Sequence, residues 1–182
     1  VDAGPPPAPP PPPAPRIMAT GKAKLEGNRV RIPGELEFDV SKATLKDTPA
    51  TNDILNELVS FMTQNKGVTK LRVEGHTDNS GVALKNVKLS QDRAETVTKY
   101  LAGKGIDAGR LVAVGYGQTR PTAPNDTPAN KALNRRTEFH VQEIDGKVQG
   151  DMPALPNAAG TASIGAAPAA SGSAAPAASA HH

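Results

Sequence analysis

The 182-residue chain has no cysteine and no tryptophan, and its aromatic residues are two tyrosines and three phenylalanines. Without cysteine there is no disulfide and no thiol chemistry, and the chain is compatible with any redox compartment. With so few aromatics, none interleaved with a basic stretch, there is no platform for stacking bases, so no nucleic-acid partner is expected. No run of 18 apolar residues occurs, so no segment reads as a membrane-spanning helix. Blocks of five or six like charges are also missing. Residues 20–149 hold 20 Lys and Arg against 16 Asp and Glu, interleaved along the chain.

Large side chains are scarce at both ends. Residues 1–16 contain nine of the 18 prolines, with Asp2 and Arg16 as their only charges. Between Pro153 and Ala180, alanine fills 13 of 28 positions. Neither end can bury enough apolar surface to offset its ordering entropy. The expected division is a polyproline II linker at 1–19, one globular domain at 20–149, and a disordered Ala/Pro/Ser/Gly tail at 150–182. At ~3.1 Å per residue, about 16 residues of polyproline II make a spacer ~50 Å long. The start at Val1, inside a proline tract and without a leader, suggests a processed or truncated terminus, and His181-His182 reads as the remnant of a tag.

Within the domain, Arg29–Ile32 and Glu35–Phe38 alternate around Pro33-Gly34, which predicts two short strands or one kinked strand. Ile54, Leu55, Leu58, Phe61 and Met62 recur at helical spacing over Thr51–Gln64, and Gly67 stands at the expected C′ position of that helix. The segment from Leu71 to Thr77 alternates like a half-buried strand, with Leu71, Val73, Gly75 and Thr77 on one face. Asp78-Asn79-Ser80-Gly81 then turns the chain. A helix follows to about Ala102, its Ala94, Val97 and Leu101 spaced to face a core, and Gly103-Lys104-Gly105 ends it. Arg110–Tyr116 and Arg136–Ile144 read as strands, and the loop 119–131 between them has room for one helical turn after Pro128. Together these predict a two-layer α/β (α+β) sandwich, a mixed sheet of about four strands with two main helices on one face.

Asn86 and Arg93 are two helical turns apart and share a face. An acid at the preceding strand end, Asp78, and an arginine on the next helix can line one pocket. That pair suits a small zwitterion, the acid meeting an ammonium and the arginine a carboxylate.

GHTDNSG, then N-x-x-L-S-x-x-R-A-x-x-V-x-x-Y-L at Asn86–Leu101, GIDAGRL at Gly105–Leu111, GYGQTRP and LNRRTEF stand in a fixed order. Together they closely resemble the OmpA-like C-terminal domain, which also occurs in peptidoglycan-associated lipoproteins and flagellar stator proteins. The resemblance covers about residues 30–144. It implies noncovalent binding of peptidoglycan through the diaminopimelate of its stem peptide, in the periplasm, with an outer-membrane anchor upstream of Val1. The family's acid falls on Asp78 and its helix arginine on Arg93. Asn86, Thr77, Asn79 and Leu89 fall on further pocket positions, and the Asn134-Arg135-Arg136 motif offers Arg136 as its pocket residue. The lining loop falls on Phe38, Asp39, Val40 and Ser41, where some members carry asparagine at the last position. A stator-like or scaffolding module with protein partners, or a peptidoglycan hydrolase, are the alternatives.

Each of these residues also has a plainer reading: Asp78 as a turn residue, Arg93 as a solvated helix residue, Asn86 as a satisfier of loop backbone. Ser90 reads as structural, bonding within the early turns of its helix. His76 and Asp78 are two apart, but zinc needs three or four ligands and His140 is the domain's only other histidine, so no metal, cofactor or catalytic set is assigned.

Overall fold

In the computed structural model, which describes residues 17–150, six strands form one mixed sheet. In chain order the elements are β1 (Lys24–Glu26), β2 (Arg29–Arg31), α1 (Pro49–Gln64), β3 (Val68–His76), α2 (Ala83–Gly103), a 3-10 turn at Ala108–Arg110, β4 (Leu111–Gly117), α3 (Pro128–Asn134), β5 (Thr137–Ile144) and β6 (Lys147–Val148). The spatial order is β1-β2-β5-β3-β4, with β6 paired to the end of β5. Only β3 and β4 run parallel, because α2 carries the chain back between them; the other pairs are antiparallel. The proline-rich start and the alanine-rich tail lie outside the described residues.

The fold class is the expected one, with differences at the edges. β1 forms through a two-residue connection, Gly27-Asn28, with Gly27 at φ +63°. Three positions, two of them charged, carry too little periodicity to read as a strand. Glu35–Phe38 makes no strand: Pro33 lacks an N–H, Gly34 turns at φ +104°, and only Phe38 bridges, to Leu45. The helical turn after Pro128 is a full seven-residue α3, capped by the Thr127 side chain on the Asn130 N–H.

The core lies on one face of the sheet. Helix α1 starts on the Thr48 cap with Pro49 behind it and buries Ile54, Leu55, Leu58, Phe61 and Met62. It stops at Asn65, whose side-chain amide donates to the Phe61 carbonyl at 2.9 Å, so the glycine cap expected at Gly67 is not used. Helix α2 buries Ala94, Val97 and Leu101 against Leu71 and Val73 of β3. Its end is the left-handed Gly105, at φ +94°. At the N-terminal side, Ile17 packs on the core and the Met18 N–H donates to Asn65 Oδ1 at 2.8 Å.

Two glycines let α2 lie directly on the sheet. A Cβ on Gly75 would stand 2.2 Å from the Ser90 carbonyl oxygen, and one on Gly115 would stand 2.3 Å from the Gln91 amide nitrogen. The same helix masks the open edge of β4. Gln91 accepts from the Gly115 N–H and donates to the Ala113 carbonyl, and Ser90 Oγ accepts from the Gly117 N–H. Ser90 is fully buried and structural.

The opposite face of β3 is not solvated as a half-buried strand would be. Arg72, Glu74 and His76 are 2–3% exposed. Tyr116 of β4 stacks on the His76 ring, Arg120 lies over Tyr116 at 4.3 Å, and Glu138 and His140 of β5 close the other side. Charges of both signs fill this face, so a period-two pattern places them outside while neighbouring side chains cover them.

Leu58, with no exposure, faces the centre of the core. Leu58→Ala is expected to lower stability by ~2–5 kcal/mol in urea unfolding; an unchanged midpoint would mean that α1 sits in another phase. Gly115→Ala forces a methyl group into helix backbone and is expected to cost at least ~2 kcal/mol, measured the same way. Gly103→Ala, where an added Cβ would meet nothing within 4 Å, serves as the control.

Candidate functional site

Four segments converge beyond the C-terminal end of β3. The strand ladder continues past its last residue, with the His76 N–H on the Arg136 carbonyl and the Thr77 N–H on the Gly117 carbonyl. Asp78 therefore emerges at a rigid point between β4 and β5. The first turns of α2 stand beside it because the glycine contacts hold the helix down. The 36–41 loop closes from the far side, fastened where the Asp39 N–H donates to the Thr44 carbonyl. Residues 135–137, entering β5, complete the ring.

These segments enclose a cavity of about 520 Å³, in the range of small-ligand pockets. From β3 and its corner come Thr77, Asp78 and Ser80; from α2, Asn86, Leu89 and Arg93. Leu36, Phe38, Val40 and Ser41 line it from the loop, and Arg135, Arg136 and Thr137 from β5. Asp39 and Asn79 are not in the lining. Asp39 ties its own loop, and the Asn79 N–H turns away to Asn125 Oδ1 at 3.3 Å.

Asp78 is largely buried and doubly held: Oδ1 accepts from the Ser80 N–H at 2.8 Å and Oδ2 from Arg135 Nη1 at 2.6 Å. Burial alone would raise its pKa. The Arg135 and Ser80 hydrogen bonds and the Arg135 charge outweigh burial and hold the carboxyl below its ordinary 3.8. Arg135 is itself half exposed, so its guanidinium can leave Asp78 for water at small cost.

Arg93 lies flat over Phe38, 4.9 Å from the ring centroid, and its Nε donates to the Lys42 carbonyl at 3.0 Å. Burial and the nearby Arg135 charge lower its pKa, yet a guanidinium stays charged. The bond to Lys42 occupies Nε alone, which leaves the Nη1/Nη2 edge for a carboxylate. Ser41 adopts φ +56°, the left-handed region in which asparagine is better tolerated than serine.

Asn86 does both things considered for it. It lines the cavity, and its amide donates to the Asp78 and Ser80 carbonyls and to Gln118 Oε1, at 3.0–3.3 Å. The corner that carries Asp78 is thus pinned to α2. Both arginines of the Asn-Arg-Arg motif border the cavity, but they part ways. Arg136 turns to Glu138 at 2.6 Å and to the Arg120 carbonyl, and Arg135 is the one on Asp78. Asn134, fully buried, holds the loop 122–125 with five hydrogen bonds and so positions this turn. Sequence reasoning placed Val40 in the lining loop but did not single out Arg135, Ser80, Leu36 or Thr137 as lining residues. The arginine pair signalled the first of these, but nothing local said which one would turn toward the acid.

One acid and three guanidiniums stand around an apolar wall of Leu36, Phe38, Val40 and Leu89, so the cavity offers both signs of charge beside an apolar surface. The lining offers no histidine to act as a base, and no nucleophile–base–orienter set is assembled there.

The OmpA family pattern matches residues 37–135, and the chain belongs to that family. It is 41% identical over 113 residues to outer membrane porin F of Pseudomonas fluorescens, covering 62% of this chain and 34% of that protein. It is 34% identical over 108 residues to the peptidoglycan-binding protein ArfA of Mycobacterium tuberculosis, covering 59% and 32%. Among solved structures, the cell wall anchor of the type VI secretion system from Pseudomonas aeruginosa superposes with TM-score 0.54 at 33% identity, over 65% of this chain and 85% of that one. The chain spans about a third of the length of the two curated relatives.

Because its folded pKa is depressed, Asp78 keeps its charge, and its ion pair, everywhere above 3.8 and loses them only as pH falls through the lower folded value. A carboxyl-carbon NMR titration should give a midpoint below 3.8. In Arg135→Ala the midpoint should move up, since burial remains and the counter-charge is gone. A midpoint that Arg135→Ala leaves in place would show that the pair does not persist in solution.

Proposed function

We propose that this chain binds the bacterial cell wall noncovalently, taking the diaminopimelate of the peptidoglycan stem peptide into the Asp78–Arg93 cavity, and so tethers an outer membrane or envelope complex to the wall. It acts as an anchor in the periplasm and performs no chemistry on the wall. The observation that carries this reading is one cavity, with room for an amino-acid head group, in which an ionised carboxylate and an arginine with a free edge both face the ligand space. The ammonium of the ligand takes Asp78 Oδ2 from Arg135, and its carboxylate takes the Arg93 fork. Phe38 and Leu89 cover the methylene chain between them. Membership of the OmpA family, and the wall-related names of ArfA and of the secretion-system anchor, support the same partner. The proline-rich segment would act as the spacer between a membrane anchor upstream of Val1 and the wall.

Asp78→Ala and Arg93→Ala each leave one ligand charge unpaired in a partly desolvated pocket, a loss of ~2–5 kcal/mol. Both are expected to fail in pull-down on diaminopimelate-type sacculi while keeping a wild-type circular dichroism spectrum. Arg93→Lys should rescue only in part, because an ammonium lacks the bidentate fork. Walls with lysine in place of diaminopimelate lack the terminal carboxylate and should bind poorly. Retained binding by the Asp78→Ala/Arg93→Ala double variant would sink the pocket assignment, and failure of the unmutated chain to bind would sink the function.

A further inference from the structure

The sheet face turned away from the helices carries a cluster that wall binding does not use. Glu74, His76 and Glu138 are each buried, and each offers a ligand atom within 4.8 Å of the others. Their carboxylates are divided in a regular way. Glu74 Oε1 faces Arg72 Nη2 at 2.8 Å, and Glu138 Oε1 takes Arg136 Nε at 2.6 Å and Arg29 Nη2 at 3.1 Å. The two Oε2 atoms face the imidazoles instead. Glu74 Oε2 is 3.6 Å from His76 Nε2 and 3.8 Å from His140 Nε2, and Glu138 Oε2 is 3.0 Å from His140 Nε2.

His76 is the decisive member. It is 2% exposed, and no contact of either ring nitrogen reaches hydrogen-bond length; the nearest is Glu74 Oε2, 3.6 Å from Nε2. A buried imidazole held only by so long a contact is costly, and such groups call for an explanation. We propose that Glu74, His76, Glu138 and His140 form a divalent transition-metal site, best suited to zinc.

Ligands ~2.05 Å from a tetrahedral zinc lie about 3.3 Å from one another; three of the six pairs among these four groups stand at 3.0, 3.6 and 3.8 Å, and the Glu74, His76 and Glu138 ligand atoms all lie within 4.8 Å, so the set must draw in on the ion. The arginines hold the outer oxygens and so aim the inner ones, as groups behind a metal ligand do. Three guanidiniums around two carboxylates oppose added positive charge. That opposition selects an ion held by imidazole nitrogen over calcium or magnesium, which depend on anionic oxygen. His140, the least buried of the four, marks the way in.

The test uses the full chain carrying H181A and H182A, which removes the terminal histidine pair as a competing ligand. After chelator treatment, zinc chloride is titrated in by calorimetry, and cobalt(II) is followed in the visible region. One zinc per chain is expected, with a melting temperature raised by roughly 5 °C at ten times Kd, and cobalt should give the intense bands of a tetrahedral ion. His140→Gln, which can keep a hydrogen bond to Glu138, should weaken zinc binding at least tenfold, as should His76→Gln if it folds. No zinc uptake, weak octahedral cobalt bands, or binding unchanged in His140→Gln would each overturn the site. The sacculus pull-down is independent of all three results.

Discussion

The contact of α2 with the parallel pair β3–β4 is the constraint on which the rest of this molecule depends. Helix backbone meets strand backbone at Gly75 and Gly115, where even a methyl group would stand well inside contact distance. At that separation the side chains of Ser90 and Gln91 reach the outward backbone groups of β4, so the helix closes the sheet edge as well as covering the core. The same approach brings the first turns of α2 over the end of β3. Asp78 and Arg93 belong to one cavity because the helix between them cannot lift.

Around that contact the sheet has two unlike faces. One is apolar and packed by α1 and α2. The other is a layer of paired charges: Arg72 holds Glu74, Arg136 and Arg29 hold Glu138, and His140 stands between the two glutamates. Burial by itself would raise the pKa of both glutamates. Histidine and arginine contacts reverse that: Glu74 is held below its ordinary value and Glu138 far below it. Breaking one member would strand its partner in a place without water, so the layer behaves as a unit. Arg136 belongs to this layer and also borders the cavity, which ties the site to the rigidity of the far face.

The cavity is built from restrained parts at its base and a looser rim. Thr77 and Asp78 continue a strand, Asn86 is fixed by three acceptors, and Asn134 locks the loop ahead of Arg135. Val40 and Arg135 are exposed at the rim. Across that rim the pairing of Arg135 with Asp78 holds the acid ionised.

The order of helices and strands, the core faces of α1, α2 and β3, and the presence of an acid and an arginine on neighbouring elements were all legible in the residues, because periodicity and turn chemistry are local. The motif order added the family. Other features were decided by tertiary contact. Whether Glu35–Phe38 would pair depended on where Pro33-Gly34 sent the chain, and β1 formed only because β2 was there to receive it. Arg135, rather than its neighbour, turned to Asp78 because α3 and the Asn134 clamp set the entry angle of β5. The polar face of β3 read as solvated, since a period of two reports only which side a residue takes. What covers that side comes from strands and loops distant in sequence, and a buried cluster of arginine, glutamate and histidine exists only once those are brought together.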